Sequence, residues 1–348
     1  MRVAVVGCCH GELNLMYRRI LESSKSSSPV ELILVTGDFQ AIRNNQDLSS
    51  MSVPQKYLRF GDFKDYFEGA KKAPILTVFI GGNHEASNFM KELYYGGWVC
   101  PNIYYLGHSG VINIGGLRIA GLSGIYSSHD YHKGYYEKVP LENPREKKSI
   151  YHYRDIEVWK LSQINGPVDI FLSHDWPKDI WEYGDKAAFL KMKPFLKDEI
   201  ASGSFGSPPL MDLMNRLKPR FWFSSHMHCS FTCQYNSTYF MALDKCVKNR
   251  DFCDILDVNP CVNCSNMDVP LEIHVDNQWI DILQHATAFM SNTIKPSGPF
   301  PDSYNPRDDR AEVHIAPIDY NGDHMEAIYS SYKEFLVKAS LKDPFNYQ

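Results

Sequence analysis

Metal-type side chains recur in this chain wherever an apolar run ends. Cys8 and His10 follow the run 3–6, Asp38 follows 31–36, and Asn83, His84 and Glu85 follow 74–80. His174 follows 168–172, and His226 and His228 follow 220–223. A lone histidine at such a place is ordinarily structural. Five run ends carrying donors are a pattern. Imidazole, thiolate, carboxylate and amide oxygen together suit borderline divalent metals: Zn²⁺, Fe²⁺ or Mn²⁺. In extended backbone, residues i and i+2 point to the same side. On that reasoning Cys8 with His10, and His226 with His228, each present two donors to one cavity. Asp38 has two carboxylate oxygens and can bridge two ions.

The apolar runs read as buried strands, and chemistry in α/β proteins gathers where adjacent parallel strands end. Leu13, Met16, Ile20 and Leu21 recur at helical spacing between the first two runs, which makes a strand–helix–strand unit. Gly81 and Gly82 are expected to let the chain turn where a side chain would clash, ahead of a helix over 86–95. Gly115 and Gly116 mark a hairpin between strands at 111–114 and 117–122. Further strands are expected at 103–106, 238–243 and 271–275. Helices are expected over 151–164, 186–200, 210–217, 279–289 and 324–341. Residues 40–62 read as an irregular insertion. The segment 123–150 has no period and reads as a long loop. In it, Tyr126, His129, Tyr131 and Lys133 interleave aromatic and basic groups, which suits base stacking and phosphate contact. A tyrosine-rich surface loop is the plain alternative.

The 348 residues are 44% hydrophobic and 22% charged, enough for a large buried core. The net charge of −5 gives no overall basic character, so nucleic-acid contact would rest on a local patch or pocket. No run has the length of a membrane span, and the apolar start is too short for a signal-peptide core. The nine cysteines are irregularly spaced, which argues against a disulfide framework and for a reducing compartment, cytosol or nucleus. Cys261 and Cys264 have ribbon-like spacing but no second such pair. Buried or incidental cysteines are therefore expected there rather than a structural zinc. A main domain over 1–245 and a packed extension over 246–348 are the expected organisation.

In order, Cys8-Cys9-His10, Gly37-Asp38, Gly82-Asn83-His84-Glu85, His174 and Ser225-His226-Met227-His228 resemble the motifs of the calcineurin-like metallophosphoesterases. Two positions depart. Cys8 stands where that family usually has aspartate, and Ser225 where it has glycine. The opening Cys-x-His-Gly-Glu is similar to the RNA lariat debranching family within that group. So are Ser123-Gly124-Ile125-Tyr126, Ser173-His174-Asp175-Trp176-Pro177 and the segment around Lys245. The segment 123–150 sits where that family carries a lariat-recognition loop.

The resemblance implies an α/β fold, a double β-sheet sandwich flanked by helices, with a C-terminal α+β extension. It implies one metal pocket of Asp38, Asn83, His174 and His226, and another of Cys8, His10, Asp38 and His228. His84 would ligate nothing and would face the scissile phosphate as general acid. Asp175 would orient substrate, and Glu85 would anchor the turn that carries His84. The reaction implied is hydrolysis of the 2′,5′-phosphodiester at the branch point of excised intron lariat RNA. The cofactor would be Fe²⁺ and/or Zn²⁺, with Mn²⁺ able to substitute, since a thiolate biases its pocket towards softer ions. Two unlike metals, or one metal in the Asn83 pocket, both stay open. A nuclear monomer, also present in the cytoplasm, is expected, with no membrane contact and no protein partner indicated. Another metallophosphoesterase, a 3′,5′ nuclease or a phosphoprotein phosphatase, is the competing reading.

Overall fold

Two mixed β-sheets share one apolar core and form the body of the molecule. The computed structural model describes residues 1–24, 28–261, 271–319 and 323–345, so Cys264 lies outside the described residues. The strands in chain order begin with β1 (Arg2–Val6), β2 (Leu32–Val35), β3 (Leu76–Phe79), β4 (Gly97–Cys100) and β5 (Ile103–Tyr105). Then come β6 (Ser109–Ile114), β7 (Leu117–Leu122), β8 (Ile170–Ser173), β9 (Phe221–Ser224), β10 (Phe231–Tyr235) and β11 (Thr238–Ala242). The last are β12 (Cys253–Asp257), β13 (Ile273–Val275) and β14 (Val313–Ile315).

The first sheet has the order β12-β1-β2-β3-β5-β4, and the second β10-β11-β9-β8-β7-β6-β13-β14. β1, β2, β3 and β5 run parallel, as do β7, β8, β9 and β11. Their sequences are continuous apolar runs because both faces are covered; every residue of β2 is buried. The hairpin at Gly115 and Gly116 forms as expected. Both have positive φ, +52° and +82°, as a tight two-residue turn between twisted strands requires. Residues beyond 245 supply β12 to the first sheet and β13 and β14 to the second.

Several local expectations are corrected. The helix expected over 186–200 is broken into Lys186–Met192 and Lys197–Ala201, with a 3₁₀ turn between. Pro194 lacks the N–H an unbroken helix would need. The helix after Glu85 is short, Ser87–Glu92. The insertion at 40–62 contains the helix Asn45–Ser50, whose first turn donates to the Asn44 side chain through the Asp47 N–H. Likewise Asn143 caps a helix, Pro144–Ser149, inside the segment read as loop. Among the described residues no helix is long and apolar enough to cross a membrane.

Candidate metal centre

Donors arrive on five loops from both sheets: those after β1, β2 and β3 in the first, and those after β8 and β9 in the second. The donors thus come from strand ends of two sheets, not from adjacent strands of one. Four donor residues sit in left-handed backbone, with φ of 50° at His10, 49° at Asp38, 60° at His226 and 50° at His228. The extended-chain reasoning for the two donor pairs therefore fails in its geometry. Such steps cost a residue with a side chain about 1–2 kcal/mol. They turn neighbouring side chains in directions a regular strand cannot.

His226 and His228 accordingly part company. One ligand atom from each of Cys8, His10, Asp38 and His228 lies within 4.8 Å of all the others. His10 Nε2 is 3.1 Å from His228 Nε2 and 3.7 Å from Asp38 Oδ2. Across the carboxylate, His174 Nε2 is 3.4 Å from Asp38 Oδ1 and 3.1 Å from Asn83 Oδ1. The His226 ring lies 4.9 Å from the His174 ring, centroid to centroid. Asp38 thus turns one oxygen to each group. The His226 main-chain N–H donates to Cys8 Sγ at 3.2 Å and ties the two groups together.

Surrounding bonds fix these donors. His174 Nδ1 lies 2.8 Å from the Thr36 carbonyl, to which it donates, so Nε2 is the nitrogen turned inward to Asp38 and Asn83. The Ser225 hydroxyl donates to that same carbonyl at 2.7 Å, and the Trp176 indole donates to the Ser225 carbonyl at 2.7 Å. Glu85 accepts from the main-chain N–H groups of Phe39 at 2.6 Å, Gln40 at 2.8 Å and Gly82 at 3.2 Å. It bolts the loop after β2 to the loop after β3. Neither Gly81 nor Gly82 has a positive φ. Gly82 is needed for space: a Cβ there would stand 2.2 Å from Asp38 Oδ1 and 2.8 Å from His174 Cε1. At Gly81 a Cβ would meet Ser123 at an ordinary 3.4 Å.

The electrostatics fit a cation. Burial works against the Asp38 carboxylate, yet His174, His10 and His84 around it hold it well below the ordinary carboxylate range. Burial, with the neighbouring imidazoles, pushes His226 and His228 down to about 3, so both are neutral with free lone pairs. Burial and the Asp38 charge push the Cys8 thiol up, so a metal would have to displace its proton. Burial works against a charged His174, yet Asp38 and the Thr36 carbonyl raise it above the ordinary imidazole value, so an ion there would displace a proton as at Cys8. With those protons displaced, imidazoles, a buried carboxylate, an amide oxygen and a thiolate are a donor set that a divalent ion fits.

His84 stands beside this group rather than inside it. Its Nδ1 is 3.5 Å from Asp38 Oδ2, and its main-chain N–H donates to Asp38 Oδ1 at 2.8 Å. It lines an open cavity of about 310 Å³ together with His10, His228, Gln40, Tyr57, Arg59 and Lys245. Tyr57, Arg59 and Lys245 are absent from the sequence reading as site residues. The signal that marks Tyr57 is an exposed aromatic beside Lys56 and Arg59 in an otherwise polar insertion.

The expected substrate residues lie elsewhere, outside that cavity's walls. Asp175 accepts the Tyr126 N–H at 3.2 Å and the Trp176 N–H at 2.9 Å, fastening the 123–150 segment beside His174. The Tyr126 and Tyr131 rings meet edge to face at 5.5 Å, both half-buried. The Lys133 ammonium is engaged by Asp130 at 2.6 Å, while His129 is exposed. Among the described residues Cys246, Cys253 and Cys261 form no metal-type group.

The family described as calcineurin-like phosphoesterase matches residues 1–230, and the lariat debranching enzyme C-terminal domain matches residues 235–334. The lariat debranching enzyme of Homo sapiens is 48% identical over 82% of this chain and 53% of its own length. That of Arabidopsis thaliana is 44% identical over 81% of this chain and 68% of its own length. That of Schizosaccharomyces pombe is 38% identical over 86% of this chain and 82% of its own length. The chain spans about half the length of the human and mouse proteins it matches.

Proposed function

This chain belongs to the lariat debranching enzymes of the calcineurin-like phosphoesterase family, and from that premise we propose that it hydrolyses the 2′,5′-phosphodiester at the branch point of excised intron RNA. The observation that carries the reading is the buried Asp38 carboxylate, which turns Oδ2 to His10 and Oδ1 to His174. A single buried acid serving two groups of metal-type donors is what a phosphoryl site with two ion pockets requires.

Asp38, Asn83, His174 and His226 would hold one divalent ion, and Cys8, His10, Asp38 and His228 the other. Such ions supply Lewis-acid neutralisation of charge on the phosphate and a water acidic enough to attack near neutral pH. The protein's own part is orientation and proton delivery. The 2′-oxygen of the branch nucleotide is a poor leaving group and departs with a proton from His84. Asp38 beside Nδ1 orients that ring, with the proton delivered from Nε2. Glu85 keeps the turn in register by tying it to the loop that carries Asp38. Tyr57 offers a face for a base of the substrate, and Arg59 and Lys245 offer cations for its phosphates. Tyr126, Tyr131, His129 and Lys133 form a second contact surface along the 123–150 segment. Fe²⁺ and Zn²⁺ are the ions proposed, with Mn²⁺ a substitute, because Cys8 is a soft ligand. The enzyme acts as a monomer, in the nucleus, where introns are excised, and also in the cytoplasm.

Competition decides between substrates. Purified protein is incubated with a 2′,5′-branched RNA, a linear RNA and a phosphopeptide, under Fe²⁺, Zn²⁺ or Mn²⁺. Preferential cleavage of the branched RNA is expected. Equal or faster turnover of linear RNA or phosphopeptide would assign the site to a nuclease or a phosphatase instead.

A further inference from the structure

A second group of metal-type side chains lies at the far end of the second sheet. β13 and β14 pair antiparallel with His274 directly opposite His314. Alternation along the strands turns Ile273, Val275 and Ile315 into the core. It leaves Glu272, His274, Glu312 and His314 on the other face. His274 also pairs with Asn113, next to the Gly115–Gly116 hairpin and at the opposite end of β7 from Ser123 and the catalytic loops.

One ligand atom from each of Glu272, His274 and His314 lies within 4.8 Å of the other two. Glu272 Oε2 is 3.6 Å from His274 Nε2 and 3.6 Å from His314 Nε2. Around a tetrahedral ion with bonds of about 2.1 Å, adjacent donors stand about 3.4 Å apart. The observed spacing needs little closure. Two more observations point to a ligand. His314 Nε2 is shut off from solvent and has no hydrogen-bond partner among the described residues. The second His274 nitrogen, Nδ1, faces Glu312 Oε2 at 3.8 Å, and Asn113 Nδ2 donates to Glu312 Oε1 at 2.6 Å. A carboxylate held behind an imidazole is the usual support for a ligating histidine, fixing which nitrogen keeps its proton.

We propose that Glu272, His274 and His314 form a Zn²⁺ site, with a fourth position open to water, that pins β14 to β13. β14 is a three-residue strand at the edge of the sheet. An ion joining it to β13 would anchor the chain that leads into the helix His324–Lys338. The site is a structural clip and takes no part in the reaction.

The test counts metal. Zn²⁺ bound per chain at low micromolar free Zn²⁺ is measured by equilibrium dialysis for the wild type, His314→Ala and Glu272→Gln. Each variant is expected to hold one Zn²⁺ fewer than the wild type while keeping its phosphodiesterase rate. The rise in melting temperature on adding Zn²⁺ should also shrink. Glu272→Gln is nearly isosteric at an exposed position, so it keeps the test valid if His314→Ala folds poorly. Stoichiometry unchanged in both variants would overturn the proposal. So would a difference that appears only at millimolar Zn²⁺, which would mark adventitious surface binding.

Discussion

Asp38 holds His84 twice: Oδ1 accepts its main-chain N–H at 2.8 Å, and Oδ2 stands 3.5 Å from its ring Nδ1. The first bond fixes the turn and the second aims the ring. Removing the ring leaves the first bond intact. His84→Ala is therefore expected to keep its metal content while turnover of branched RNA falls about 10²–10⁴-fold, the usual worth of a general acid. Bis-p-nitrophenyl phosphate has a leaving group that needs no proton, and its hydrolysis should be largely spared. Loss of bound metal in this variant would mean that His84 is a ligand.

The adjacent glycines separate space from conformation. Gly82→Ala places a Cβ against Asp38 Oδ1 and His174 Cε1, so metal content and activity should both collapse. Gly81→Ala meets only ordinary contacts and should stay within about 1 kcal/mol of wild-type stability, with activity kept. Thermal melts with metal analysis distinguish the two. Equal effects would mean that the turn, not the close approach, is what both positions serve.

Cys8 should set ion preference. Cys8→Asp replaces a soft thiolate with a hard carboxylate, so preference should move from Zn²⁺ and Fe²⁺ towards Mn²⁺. Anaerobic metal analysis and rates with each ion report this. Identical occupancy and rates in the variant would remove Cys8 from metal selection.

Tyr57 and Lys245 should act on substrate affinity. Stacking of a base on an aromatic ring is worth about 1–3 kcal/mol. Tyr57→Ala should raise KM for branched RNA accordingly and change kcat less. Lys245→Ala should weaken binding and flatten its salt dependence. A fall in kcat with KM unchanged would place either residue in the chemical step.

Stability at acid pH should depend on His108, which stacks on Tyr135 at 5.0 Å. Burial pushes His108 from 6.5 down to about 3. Below pH 6.5 the unfolded chain takes up this proton and the folded one does not. Its contribution is thus complete above pH 6.5 and is lost progressively as pH falls towards 3. His108→Gln should show a shallower loss of melting temperature than the wild type across that window. Parallel curves would contradict the assignment.

Much of this was legible in the residues. Parallel strands buried on both faces are continuous apolar runs, so β1, β2, β3, β8 and β9, and the donors after them, stood out. Four strands carry a weaker signal. β12 reads Cys-Asp-Ile-Leu-Asp and is half exposed, β10 has exposed polar residues at Thr232 and Gln234, β14 has three residues, and β4, though buried, is only Gly-Trp-Val-Cys. The left-handed turns at His10, Asp38, His226 and His228 were invisible because φ at a residue with a side chain is set by the surrounding fold. The cavity wall at Tyr57, Arg59 and Lys245 joins segments far apart in sequence, and no local pattern announces such a meeting. From its sequence neighbours alone Glu85 reads as a local anchor. Its bonds to Phe39 and Gln40 across the sheet became visible only in the folded chain.

The most direct measurement follows the products of a 2′,5′-branched RNA cleaved in ¹⁸O-labelled water. Departure of the 2′-oxygen with a proton from His84 predicts a free 2′-hydroxyl on the branch adenosine. The released strand should carry a 5′-phosphate with one ¹⁸O atom. A phosphate left on the 2′ position, or cuts at 3′,5′ linkages with the branch intact, would contradict the account.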